Sequence, residues 1–287
     1  MRVIRPALLM LAMLLLAACG GQNNAGGGGV SNGRSGTEDI NWNSDASHIV
    51  FQIDVVGGGD AIDQRNDIAL CTIYGDNRIV WTPDSQPGQR IVLFDYLETI
   101  TVGDFILDLI INFDIYEYGA QAAVQLPGDE TPVYEQIVVG VNDRVHITDG
   151  FEEWPTDFFR DILDRCRNLS TRPVTVAPEG GWLTAEFANF DPTATIITWN
   201  AEASGIDLLL LADADEDVRR LWVDNDVLPI LWNVMVNSPR SRLFEQGDDY
   251  FRIGFEVPNL TRDAPPAPAT EEELIEARSL EPEAEEE

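Results

Sequence analysis

The chain has 287 residues, 44% of them hydrophobic and seven of them tryptophan, which excludes an intrinsically disordered protein and suffices for one large domain or two small ones. Fifty acidic residues against 18 basic ones give a net charge of −32, a balance that disfavours nucleic acid and anionic lipid headgroups and favours cations and basic proteins. Every basic residue is arginine, which excludes lysine Schiff-base and P-loop chemistry.

Residues 1–18 read as a secretory signal. Arg2 and Arg5 supply its positive end, Pro6–Ala18 its apolar run, and Ala17-Ala18 a small-residue processing site. Thirteen apolar residues are too few for a transmembrane helix, which needs about 20. The run closes on Leu16-Ala17-Ala18-Cys19, which resembles the lipobox of bacterial lipoproteins. That resemblance implies cleavage before Cys19, acylation of Cys19 by more than one chain, palmitate among them, and a mature protein anchored to the cell membrane or the outer membrane. Gly20 is not the aspartate that marks inner-membrane retention in many bacteria with two membranes.

Residues 19–45, rich in Gly, Asn and Ser, read as a flexible tether with an r.m.s. span of roughly 25–30 Å. The expected fold class is α+β, as two small sheet-plus-helix units over 46–172 and 173–262. In the first, His48–Val56, Asp67–Tyr74 and Arg78–Thr82 read as strands. Val102, Phe105, Ile106, Leu109, Ile110 and Phe113 make one helical stripe, with Thr101 and Asp104 at capping-box spacing. Val133–Val141 and Arg144–Thr148 read as a strand pair about Asn142-Asp143. A second helix carries Phe158, Phe159, Ile162, Leu163 and Cys166, with Pro155 near its start.

After a proline-flanked break over 168–178, Trp182–Phe190, Thr195–Trp199, Ile206–Ala212, Arg219–Val223 and Tyr250–Val257 read as strands. Val227–Val236 reads as a helix with Pro229 in its first turn and Asp224 or Asp226 as its N-cap. Arg144–Ile147 followed by Phe158–Leu163 echoes Arg220–Val223 followed by Leu228–Met235, the pattern a duplication would leave. Residues 263–287 read as an acidic Pro/Glu-rich tail, with Thr270 and Glu273 spaced to cap a short helix over 271–280.

Several patterns bear on chemistry. Neither histidine, His48 nor His146, belongs to a His-Glu-x-x-His or similar motif, and both read as strand residues. Gly57-Gly58-Gly59 is ringed by Asp54, Asp60, Asp63 and Asp67, so it reads as a strand connection rather than a phosphate loop. Asp213, Asp215 and Asp217 place oxygen ligands at alternate positions and Asp224 stands twelfth, a set that suits Ca2+. Val218 occupies the place where an EF-hand loop needs glycine, so a solvated turn is the competing reading. Paired carboxylates suit glycoside hydrolysis, but composition alone does not locate a pair. The tryptophans include candidates for a sugar platform, while Trp222 and Trp232 sit among apolar neighbours that read as core. Cys71 and Cys166 are the remaining cysteines, either a disulfide in an oxidising compartment or two buried thiols.

Residues 48–169 combine an early Gly57-Gly58 loop, a helix, the strand pair Tyr134–Val139 and Arg144–Ile147, and a Trp-Pro helix with Trp154, Pro155, Phe159 and Leu163. In this they resemble small proteinaceous inhibitors of the emfourin type, a likeness that implies protease inhibition. The family's Gly-Phe-Ala-Gly-like loop is here Gly58-Gly59-Asp60-Ala61, and no residue role is carried over. The leading expectation is a non-enzymatic, membrane-anchored binding or interaction module of the cell envelope, whose partner is an envelope protein or glycan and not nucleic acid. A carboxylate-dependent glycan hydrolase, a calcium-dependent adhesion module and an emfourin-like inhibitor are the alternatives.

Overall fold

Branched and aromatic residues at a period of two build a first sheet, each strand presenting alternate side chains to opposite faces. The structure, a computed structural model, describes residues 40–58, 61–83, 91–121, 132–214, 220–238, 242–262 and 264–270. Strands β1 (Ile49–Val56), β2 (Cys71–Tyr74), β3 (Arg78–Trp81) and β4 (Leu93–Tyr96) form a meander. Strands β5 (Tyr134–Val141) and β6 (Arg144–Asp149) extend it beyond β1, and β7 (Val174–Thr175) closes the other edge. The order is β6-β5-β1-β2-β3-β4-β7, antiparallel throughout. Asn142 and Asp143 turn β5 into β6 with φ of 53° and 56°, the left-handed pair that a tight hairpin needs.

One face of this sheet is covered by α2 (Thr99–Ile111) and α3 (Phe158–Arg167). Val102, Phe105, Ile106 and Leu109 of α2 pack with Ile162 and Cys166 of α3 onto Phe51, Ile53, Ile73 and Ile137. Phe51 and Phe105 meet edge to face with centroids 4.9 Å apart. Each large side chain buried in this way contributes roughly 1.5–3 kcal/mol. Cys71 and Cys166 form a disulfide, Cα atoms 6.4 Å apart, that joins β2 to α3. The expected capping box at Thr101 and Asp104 does not form. The helix begins at Thr99, and Glu98 is an N-cap without a side-chain bond, because the chain turns two residues earlier than the polar pair suggests.

The second sheet contains β8 (Gly181–Ala188), β9 (Thr195–Thr198), β10 (Leu221–Val223), β11 (Arg242–Gln246) and β12 (Asp249–Glu256). Its order is β10-β8-β12-β11-β9, with β11 and β9 parallel and the other pairs antiparallel. Helices α4 (Ala201–Ser204), α5 (Leu208–Ala212) and α6 (Leu228–Asn237) accompany it, and Leu208, Leu211, Leu228 and Leu231 pack with Leu183, Phe251, Ile253 and Phe255.

Two expectations are corrected here. Most of the strand expected at Ile206–Ala212 is helix α5, because Asp207 accepts hydrogen bonds from the Leu209 and Leu210 N–H groups at 3.0 and 3.4 Å and caps it. Neither Asp224 nor Asp226 caps α6. Its N-cap is Val227, whose N–H donates to Asn225 Oδ1 at 3.0 Å.

The described residues belong to one compact unit, and the class is α+β, as the element pattern implies. Tyr74, Val80 and Val92 from the first sheet's region belong to the second core. Helix α1 (Ala61–Gln64) lies against β12, where a Cβ on Gly254 would sit 2.6 Å from Thr184 Oγ1 and 3.2 Å from Ile62. The boundary expected at 172/173 therefore lies inside this unit, and β7, beyond it, completes the first sheet. The expected sequence echo corresponds to β6 then α3 and β10 then α6, each an edge strand followed by a helix. It stops there, since the first sheet has no counterpart of the parallel β11–β9 pair. Among the described residues no helix is long and apolar enough to cross a membrane.

Candidate functional site

A cleft of about 420 Å³, within the range of small-molecule sites, opens where the end of β1 faces α6 and the segment after β12. Val92, Trp232, Met235 and Phe255 give it apolar walls, while Asp54, Asp67 and Arg167 bring charge to them. Asp54 comes from β1, on the face opposite Phe51 and Ile53, so the strand's alternation points a carboxylate toward the second core.

Asp54 is 5% exposed. Its Oδ1 accepts the Val55 N–H at 2.8 Å, and its Oδ2 is ion-paired with Arg262. Burial raises its carboxyl from 3.8 to about 6, against the pull of the Arg262 guanidinium and the Val55 N–H, and neighbouring Asp67 adds to the rise. The Arg262 N–H donates to the Asp67 carbonyl at 2.9 Å, so one residue after β12 fastens both acidic positions.

Two further buried carboxylates are tied to arginines. Asp63 of α1 meets Arg252 of β12 at 2.7 Å, and Glu256 meets Arg220 at 3.2 Å. Asn66 strengthens the same junction, accepting the Phe255 N–H at 2.6 Å and donating to the Ile253 carbonyl at 3.2 Å.

The residues expected to carry chemistry fall elsewhere. Cys19, Asp215 and Asp217 lie outside the described residues, as do Gly59 and Asp60 of the glycine loop and the helix expected over 271–280. Asp213 and Asp224 are exposed, the first closing α5 through its N–H to the Leu209 carbonyl, the second following β10. Among the described residues there is no group of three or more His, Cys, Asp or Glu that could hold a metal ion. His146 bonds the Ile115 carbonyl at 3.0 Å and His48 the Gly140 carbonyl at 3.2 Å, so both secure backbone. Trp232 is partly buried and packs against the second core, in keeping with the core reading, while also lining the cleft. Trp222 is partly buried at the wall of a separate groove.

No family model, curated protein or solved structure matches this chain. The cleft's chemistry is therefore read from its own side chains. It offers mixed polar and apolar walls, a carboxylate that changes protonation near pH 6, Arg167 in its lining and Arg262 paired with Asp54. Asp54 and Asp67 are the carboxylates this cleft brings together, and Arg262 engages the first of them directly. Such a set suits holding a polar group beside apolar surface. The one signal in the sequence for Asp54 is an acidic residue inside a branched strand, and its partner stands 208 positions away.

Proposed function

We propose that this protein is an exported, lipid-tethered binding module of the bacterial cell envelope. The observation that carries the reading is the fate of its three cysteines. Cys71 and Cys166 pair within the folded unit, a bond suited to an oxidising compartment, and this leaves Cys19 as the odd one, at the end of Leu16-Ala17-Ala18-Cys19. An acylated Cys19 followed by a Gly/Asn/Ser-rich tether would hold the folded unit near a membrane without fixing its orientation. That tether ends before the expected residue 45, because Ile40 and Trp42 already pack against the first core and the Trp42 Nε1–H donates to the Gly75 carbonyl at 3.2 Å. The open cleft beside Asp54, about 420 Å³, supports the binding part of this reading.

Detergent phase partition of the expressed full chain tests the address. The wild-type chain is expected in the detergent phase, and Cys19→Ser in the aqueous phase or unprocessed, with the folded unit's thermal midpoint unchanged. Processed Cys19→Ser protein that still partitions with detergent would overturn the reading.

A further inference from the structure

Three prolines keep Ala264–Thr270 out of helix and sheet, and Ala-Pro-Pro-Ala-Pro-Ala favours an extended polyproline conformation. Such a chain has no internal hydrogen bonds, so its carbonyls are open to a donor from elsewhere. Here the donor is Trp182, whose Nε1–H reaches the Pro266 carbonyl at 2.9 Å.

Strand register places that indole. Trp182 on β8 pairs with Trp222 on β10, and the two rings meet edge to face with centroids 5.2 Å apart. A Cβ on Gly180 would overlap the Trp222 ring, so glycine at this position lets the indole lie close against the backbone. Alongside is a groove of about 460 Å³ lined by Phe94, Tyr96, Trp222, Pro258 and Leu260, with Ala267 forming part of its wall. Tyr96 is 62% exposed, so the aromatic surface continues past the segment that borders it.

We infer that Trp182 and the aromatic groove beside it form a recognition site for an extended proline-rich segment of a partner protein, and that Ala264–Thr270, held by Trp182 along the groove's wall, is the short segment of this kind that the chain itself supplies. The self-supplied segment defines the ligand chemistry. Aromatic-lined grooves bind preformed polyproline segments at low entropic cost, and an indole N–H to a proline-region carbonyl fixes their placement. The remaining open groove gives a longer proline-rich chain room that the internal segment leaves unfilled. A tethered occupant acts at an effective concentration of about millimolar, so a free competitor must be present at comparable concentration or make added contacts. The inference does not depend on the lipid anchor or on the Asp54 cleft.

Indole N–H resonances of the full chain provide the test, with Trp182→Phe identifying the Trp182 signal among the seven. In the full chain carrying Pro265→Gly, Pro266→Gly and Pro268→Gly, that signal is expected to move, with that of its ring neighbour Trp222, while the other five stay in place. Millimolar Ala-Pro-Pro-Ala-Pro-Ala peptide should then return it toward its wild-type position, and Ala-Gly-Gly-Ala-Gly-Ala should not. A Trp182 signal unmoved by the glycine changes, or unresponsive to the proline peptide, would overturn the inference. A second measurement needs no change in the segment. Saturation transfer from the wild-type chain to the proline peptide should fall at least fivefold in Trp182→Phe, and equal transfer in both would likewise overturn it.

Discussion

Asp54 occupies a position where burial and charge oppose each other, and the outcome is a dependence on pH. Its carboxyl titrates at about 6 when folded against 3.8 ordinarily, because the loss of water outweighs the attraction of Arg262. Below pH 3.8 both states hold the proton and no penalty applies. Between 3.8 and about 6 the folded state retains a proton that the unfolded state releases, so stability falls as pH rises through this window. A displacement of about two units corresponds to about 3 kcal/mol. Asp54→Asn carries no charge at any pH, so its unfolding free energy relative to wild type should rise by about 3 kcal/mol from pH about 3.5 to 6.5. Urea unfolding across that range checks this, and a constant difference would show that Asp54 ionises normally. The Asp54–Arg262 pair was not legible in the sequence. An acidic residue in a strand reads as solvent-facing, and only the second core places both faces of β1 indoors.

Elements whose own side chains supply the full burial pattern were the readable ones. α2 and α3 each carry an apolar stripe at helical spacing, and β5 and β6 flank an Asn-Asp turn, so sequence alone fixes their type. Ile206–Ala212 was not readable this way. A short, continuous apolar run fits strand and helix equally, and the decision rests on Asp207, which caps α5 and also accepts from Gln246 Nε2 at 2.6 Å. β7 depends on β4, far back in the chain, for its definition. β4 and β11 are short strands with mixed polar and apolar residues, although each also pairs with a strand next to it in sequence, and α1 is too short to show a period. The packing of α1 on β12 turns on Gly254. Gly254→Ala would press a methyl against Thr184 and Ile62, and is expected to cost about 1–3 kcal/mol with the native far-ultraviolet dichroism retained. An unchanged urea midpoint would mean that α1 is not held against that strand.

At the scale of the whole molecule, one unit contains two sheets whose cores meet through Tyr74, Val80 and Val92 and through arginine–carboxylate pairs spanning most of the chain. The proline break over 168–178 suggested a domain boundary, since such composition usually marks a linker. Here part of it becomes β7 and lines the aromatic groove instead. The Cys71–Cys166 bond closes a long loop within the unit, with a sequence separation of 95. Cys71→Ala with Cys166→Ala should cost about 2–4 kcal/mol, and reductant should lower the wild-type thermal midpoint toward that of the double variant. A midpoint indifferent to reductant would contradict a structural role for the bond. The pairing bears on the central claim, because it leaves Cys19 alone to be accounted for. Mass spectrometry of the N-terminal peptide from the membrane fraction tests that claim most directly. The account predicts a mature chain that begins at Cys19 and carries the added mass of more than one acyl chain. An unmodified Cys19, or a chain processed at another position, would contradict it.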